Sequence, residues 1–195
     1  MNLPLKNLRY SLNKRIKELK SRFRFIQSKS GITTAQEDKL RGLIVLCHAE
    51  LEDYFESVAK LILNEGKSVW DTKSVANYNF ASLLIRGKRA EKSNLDPGTL
   101  LHIILQSYES VITGNNGIKS SNIHDLFWPL GYNDEDFDSL LLSQLDSFGT
   151  QRGTIVHSSA KKAIQQLDKN SVYKVIDDII VALKSFENTL LSKMT

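Results

Sequence analysis

Thr34-Ala-Gln-Glu-Asp-Lys-Leu40-Arg-Gly-Leu-Ile-Val-Leu-Cys47-His-Ala-Glu50-Leu-Glu-Asp-Tyr-Phe55-Glu-Ser-Val-Ala-Lys60-Leu-Ile-Leu-Asn64 reads as one long amphipathic helix. Leu40, Leu43, Ile44, Cys47, Leu51, Tyr54, Phe55, Val58, Leu61 and Ile62 recur at steps of one, three and four, the signature of a buried helical stripe. Thr34-Ala-Gln-Glu37 has the form of a capping box, in which the hydroxyl covers a free backbone N–H and the carboxylate reaches back. Gly66 sits where a C′ glycine would close the helix.

Upstream, Leu5, Leu8, Leu12, Ile16, Leu19, Phe23 and Ile26 form another helical stripe wrapped in Lys and Arg, which Gly31 ends. Downstream, residues 75–85 predict a short helix, and Gly87 to Asn94 a polar loop. Asp96-Pro97 is a clean helix start, because proline at the first helical position gives up an N–H that has no partner anyway. That helix fades at Gly114-Asn-Asn-Gly117, and a shorter one from Ser121 to Trp128 stops at Pro129 and Gly131. Asn133-Asp-Glu-Asp136 places acids at a helix N-terminus, where the macrodipole favours them. Phe137, Leu140, Leu141, Leu142 and Leu145 carry that helix to Arg152 and His157, and a last helix spans about Ser171 to Ser192. No strand, repeat or low-complexity tract stands out, so the predicted fold class is an all-α bundle.

A chain of 195 residues, 41% hydrophobic and 25% charged, is long enough to bury one core and has the balance of a soluble globular protein. The net charge of +4 is unevenly spread. Residues 1–30 hold nine Lys or Arg against one acid, Glu18, and the remainder is slightly acidic. This divides the chain into a basic helical arm, 1–30, and a helical domain, 31–195, and suggests a polyanion or an acidic partner for the arm. The lone cysteine, Cys47, lies in an apolar run and reads as a buried reduced thiol. No apolar stretch reaches the roughly twenty residues of a membrane span, and the start lacks the pattern of a secretion signal, so the expected location is the cytoplasm with no membrane partner.

The chemistry concentrates in Phe148-Gly-Thr-Gln-Arg152-Gly-Thr-Ile-Val-His157-Ser-Ser. Arginine offers phosphate a permanent planar fork of donors, and histidine is the side chain whose ordinary titration lies near neutrality. Together they meet the needs of RNA cleavage without a metal: a base for the 2′-hydroxyl, an acid for the leaving oxygen, and a cation for charge on phosphorus. On a regular helix, residues five apart differ by about 140° and about 7.5 Å. Convergence on one phosphate therefore needs an extended Arg152, a bend at Gly153, or a cleft shared between helices. By itself the spacing is also that of a surface arginine and a packed histidine.

Leu46-Cys-His48-Ala-Glu50-Leu-Glu52-Asp-Tyr-Phe55-Glu-Ser-Val-Ala, followed much later by the Phe148–Ala160 segment and a closing helix, resembles the HEPN superfamily, in particular RiboL-PSP and related prokaryotic groups. The resemblance covers about residues 35–195. It implies an HEPN-like helical bundle whose Arg-x4-His motif, Arg152 and His157, is catalytic for RNA cleavage, in a homodimer, in a toxin–antitoxin or phage-defence setting, with an antitoxin or sensor protein to silence it. Family members often carry a polar residue directly after the motif arginine, where this chain has Gly153; Thr154 or Ser158 would have to substitute.

Other residues have two readings. Glu50 or His48 would orient Arg152 from the long helix, or belong to a solvated polar stripe, the reading favoured for Glu52 and Asp53. Arg15, Lys17, Arg22 and Arg24 would track an RNA backbone, with Tyr10 and Phe25 stacking on bases, or stay solvated around a packed helix. His102 reads as a packed or surface residue. The His124-Asp125 pair is discounted because helix neighbours point apart. No zinc spacing, calcium loop or glycine-rich phosphate loop occurs, so neither a metal nor another cofactor is expected. The function read from the sequence is a metal-independent endoribonuclease. Its competitors are a non-catalytic HEPN interaction module that binds RNA or a partner protein, and a subunit that accompanies a nucleotidyltransferase.

Overall fold

Seven α-helices and no strand make up the described part of the chain, which in the computed structural model comprises residues 2–26, 33–87, 95–157 and 167–194. In chain order they are α1 (Asn2–Arg22), α2 (Thr34–Lys73), α3 (Tyr78–Arg86), α4 (Pro97–Thr113), α5 (Ser120–Phe127), α6 (Ser139–His157) and α7 (Lys169–Ser192). The all-α class is thus as predicted. The expected stop at Gly31 and most of the polar loop, 88–94, lie outside the described residues.

α2 is the axis of the bundle, and every other helix packs against it. Its capping box starts one residue earlier than the sequence suggested. Thr33 Oγ1 accepts the Gln36 N–H at 3.3 Å, and Gln36 Oε1 accepts the Thr33 N–H at 3.0 Å. Glu37, released from capping, lies 3.6 Å from the Arg41 guanidinium one turn on. The helix also runs through Gly66 and ends at Ser74, which adopts φ 53 and donates its N–H to Trp70 O at 2.8 Å. Gly66 serves packing instead: a Cβ there would stand 3.0 Å from Phe80 Cβ on α3. The missing side chain lets α3 lie directly on α2, so no left-handed turn is needed at this glycine.

The apolar stripe of α1 belongs to the common core. Leu5, Leu12, Ile16, Leu19 and Ile26 are buried with the α2 and α7 residues. A helix set apart as an arm in the sequence is therefore packed into the same core as the body. Near its end, Lys20 Nζ bonds Asp177 at 2.6 Å and Tyr173 O at 3.0 Å, and Tyr173 returns a bond to Lys20 O at 2.9 Å.

α4 starts as expected, with Asp96 Oδ1 accepting the Gly98 and Thr99 N–H groups at 3.0 Å each. The acidic run does not. Asp134–Asp136 forms one 3-10 turn, Phe137 is extended, and α6 begins only at Ser139, with Asp138 accepting the Leu140 N–H at 2.8 Å. The cause is Phe137. Its ring stacks on Phe186 at 4.9 Å and meets Phe127 and Tyr132 at 6.0 and 6.1 Å, a placement that a continuous helix would forgo. Phe55 completes this aromatic centre through an edge contact with Phe186 at 5.3 Å. Cys47 is fully buried, and burial pushes its thiol up to about 12.

Candidate active site

α6 brings the motif to the surface of α2. Leu145, Phe148 and Gly149 are buried on one face, and a Cβ at Gly149 would meet Lys119 Cγ at 2.9 Å. Arg152 lies one turn beyond Phe148 on the same face and is half-buried. Across from it on α2 stands His48, 2% exposed, its ring stacked on Phe148 at 6.4 Å and 24°. His48 Nδ1 approaches Glu52 Oε2 to 3.3 Å, but without hydrogen-bond alignment.

The electrostatics follow from burial. Desolvation, with the nearby Arg152 cation as a second cause, pushes His48 down from 6.5 to about 4, so the imidazole is neutral near pH 7. Burial also pushes the Glu52 carboxyl up, with repulsion from Glu56 adding and Arg152 opposing. Arg152 is the unbalanced member. Its Nε is shielded from solvent with no hydrogen-bond partner, and among the described residues no carboxylate comes within ion-pair distance of its guanidinium. A partly desolvated cation with free donors is a receptor for an anion.

His157 is the last described residue of α6 and is exposed. The helix is unbroken through Gly153, with no interruption between Arg152 and His157. Within one chain the two side chains keep the angular offset of a regular helix, about 140°. Thr154 is also placed away from Arg152. Its hydroxyl donates to Thr150 O at 3.1 Å, and it lines a separate cavity of about 500 Å³ with Arg41, Ile155, Leu167 and Val175. Ser158 lies outside the described residues.

Glu50 is not a partner of Arg152. Its Oε1 accepts from Arg15 Nε at 2.7 Å, an ion pair between α1 and α2. This pair raises the Arg15 guanidinium further above its usual value, chiefly through the Glu50 hydrogen bond, and ties up a residue expected to contact RNA. Lys17, Arg22 and Arg24 are exposed, Arg24 lying over the Phe25 ring at 4.7 Å. Tyr10 and Phe25 are exposed as well, whereas Phe23 is half-buried against the core. The carboxylate the sequence reading passed over is Glu52. Its signal was the i, i+4 spacing from His48, which sets both on one face of α2. His124 pairs with Asp134 at 2.9 Å rather than with its neighbour Asp125. Among the described residues, no three His, Cys, Asp or Glu side chains gather as a metal site. No described helix is long and apolar enough to cross a membrane.

A sequence model of the RiboL-PSP-HEPN family matches residues 10–192. The chain belongs to the HEPN superfamily, in its RiboL-PSP family. The match begins inside α1, further toward the N-terminus than the resemblance read from the motifs alone. HEPN membership indicates an RNA-related, RNase-like class of function. Comparison with curated proteins and with solved structures finds no match.

Proposed function

We propose that this HEPN protein is a metal-independent endoribonuclease, with Arg152 holding phosphate, His157 transferring protons, and a homodimer joining two such pairs in one cleft. The observation that carries this reading is the state of Arg152: half-buried, in no ion pair with a carboxylate among the described residues, and beside an imidazole held neutral. Such a cation keeps its donors for phosphate oxygens and stabilises the charge that grows on them during attack. The 2′-oxygen attacks the adjacent phosphorus while its proton passes to the neutral His157 of one copy. The bond from phosphorus to the 5′-oxygen breaks, and that oxygen takes a proton from the protonated His157 of the second copy. The products are a 2′,3′-cyclic phosphate and a 5′-hydroxyl. Two copies are invoked because a continuous, regular α6 keeps Arg152 and His157 of one chain on different sides of the helix.

Lys17, Arg22 and Arg24 on the exposed side of the N-terminal segment are the charges this reading assigns to the RNA backbone. RNA cleavage of this kind fits a cytoplasmic toxin or phage-defence effector kept silent by an antitoxin or sensor protein. The same separation of Arg152 and His157 favours, as a second reading, an interaction module that binds RNA without cutting it.

The test is incubation of the purified protein with total RNA and tRNA, with and without excess EDTA. Cleavage that persists in EDTA and leaves cyclic phosphate ends is expected. Arg152→Ala and His157→Ala should each lower it by roughly a hundredfold or more with the fold retained. RNA binding and cellular effect that are unchanged in His157→Ala would replace the nuclease by the binding module.

A further inference from the structure

Away from α6, the helices α3, α4 and α5 enclose an open cleft of about 620 Å³, within the size range of small-molecule sites. Its wall holds three flat groups. The Arg86 guanidinium lies over the Trp128 indole at 5.2 Å, and the His124 imidazole stacks near the same indole at 5.9 Å and 21°. Trp128 is nevertheless 38% exposed, unlike the aromatic rings of the core.

Arg86 is held in place by one nitrogen. Its Nη1 donates to Trp128 O and to Asn133 Oδ1, each at 3.2 Å, which presses the guanidinium plane toward the indole. Among the described residues its Nε and Nη2 make no hydrogen bond, and no carboxylate forms an ion pair with it. An arginine anchored at one end, with two nitrogens unused and bordering a cleft, is pre-oriented to bind an oxyanion. The other titratable groups lining the cleft are His124, already paired with Asp134, Tyr108, whose hydroxyl donates to Leu126 O, and Asp125; behind Arg86, Asp136 feels its charge but pairs with Lys193. The Asp125 carboxylate disfavours a second anionic group and suits hydroxyl or amino donors instead. A flat ring, one phosphate and sugar hydroxyls satisfy these three demands together.

We propose that the α3–α5 cleft is a nucleotide site, separate from the α6 motif. The base stacks on the Trp128 wall, one phosphate takes the free nitrogens of Arg86, and Asp125 accepts from the ribose or base. The occupant is a free mononucleotide or one nucleotide of an RNA strand, which share this chemistry. The site does not depend on the nuclease reading, since none of its residues touches Arg152 or His157.

Tryptophan fluorescence tests it. With Trp70→Phe, Trp128 is the remaining tryptophan, and stacking of a base on it quenches its emission. Titration with AMP, adenosine and a six-nucleotide oligoadenylate should give saturable quenching by AMP or by the oligonucleotide, with adenosine weaker. Saturation by AMP identifies a free nucleotide, and saturation by the oligonucleotide alone identifies an RNA strand. Arg86→Gln should weaken that binding about tenfold, and the exposed Lys184→Gln on α7 should leave it unchanged. Calorimetry on Trp128→Leu, where the reporter is gone, should show the same loss. An absence of saturable quenching by any of the three, equal affinity in Arg86→Gln, or an equal loss in Lys184→Gln would overturn the proposal.

Discussion

His48 shows how a single residue is set by its neighbours. On the helical pattern alone it had two readings, a partner for Arg152 or a member of a solvated stripe. The structure buries it against Phe148 and beside Arg152. A histidine whose folded-state titration is pushed down to about 4, from 6.5, binds its proton more weakly in the native protein than in the unfolded chain. Its contribution is therefore fully present above pH 6.5 and is lost as the pH falls toward 4. The loss at the acid limit is of the order of 3 kcal/mol. Urea unfolding at a series of pH values should show wild-type stability falling through this window, and His48→Phe should flatten that part of the profile. An equal fall in His48→Phe would remove His48 as the cause. Glu50 and Glu52 carry the opposite lesson. Two residues apart on α2, they point about 200° from each other. One meets α1 through Arg15 and the other lies near Arg152. Both flank the buried Leu51, so the apolar pattern could not say which side α6 would occupy.

At the scale of elements, caps and stops were read where the choice is local. Asp96-Pro97 starts α4 because side chain and proline act on adjacent peptides. Gly66 and the acidic run were misread because their roles depend on distant groups: Phe80 for the first, the Phe127–Phe186 aromatic centre for the second. A bend at Gly153 was one of three ways the sequence left for Arg152 and His157 to converge, and α6 runs unbroken through it. A Cβ at Gly153 would meet nothing within 4 Å. Gly153→Ala should then stabilise the protein by about 0.5–1 kcal/mol, through higher helix propensity, and raise the midpoint of thermal unfolding. RNA cleavage should persist in this variant if the unbroken helix is the working form. Loss of cleavage in a stabilised Gly153→Ala protein would instead show that α6 must bend.

Across the whole molecule, α1, α2 and α7 are joined by polar contacts as well as by apolar packing. Glu187, 4% exposed on α7, accepts from Tyr54 Oη at 2.9 Å and pairs with Arg9 Nε at 2.9 Å. Burial raises the Glu187 carboxyl, and the Tyr54 and Arg9 contacts pull it back. Arg9→Leu would leave that carboxylate buried with only a neutral partner. The expected cost is about 1–3 kcal/mol, read by denaturant midpoint, and a second change, Glu187→Gln, should recover part of it. A cost unchanged by the second substitution would mean that Arg9 contributes only its packing. This junction also shows what a charge count leaves out of α1. Nine basic residues in 1–30 marked this segment as a basic arm, while its apolar stripe and Arg9 pack with α2 and α7. The sequence by itself determined the helical class, most helix starts and the buried stripes of α1 and α2, because helical period and capping act over a few residues. Only the tertiary structure decided that Glu52 and not Glu50 lies near Arg152, that Arg15 is consumed by an ion pair, and that Arg86 and Trp128 wall a cleft. Those outcomes depend on the rotation at which one helix docks on another, which no local pattern encodes.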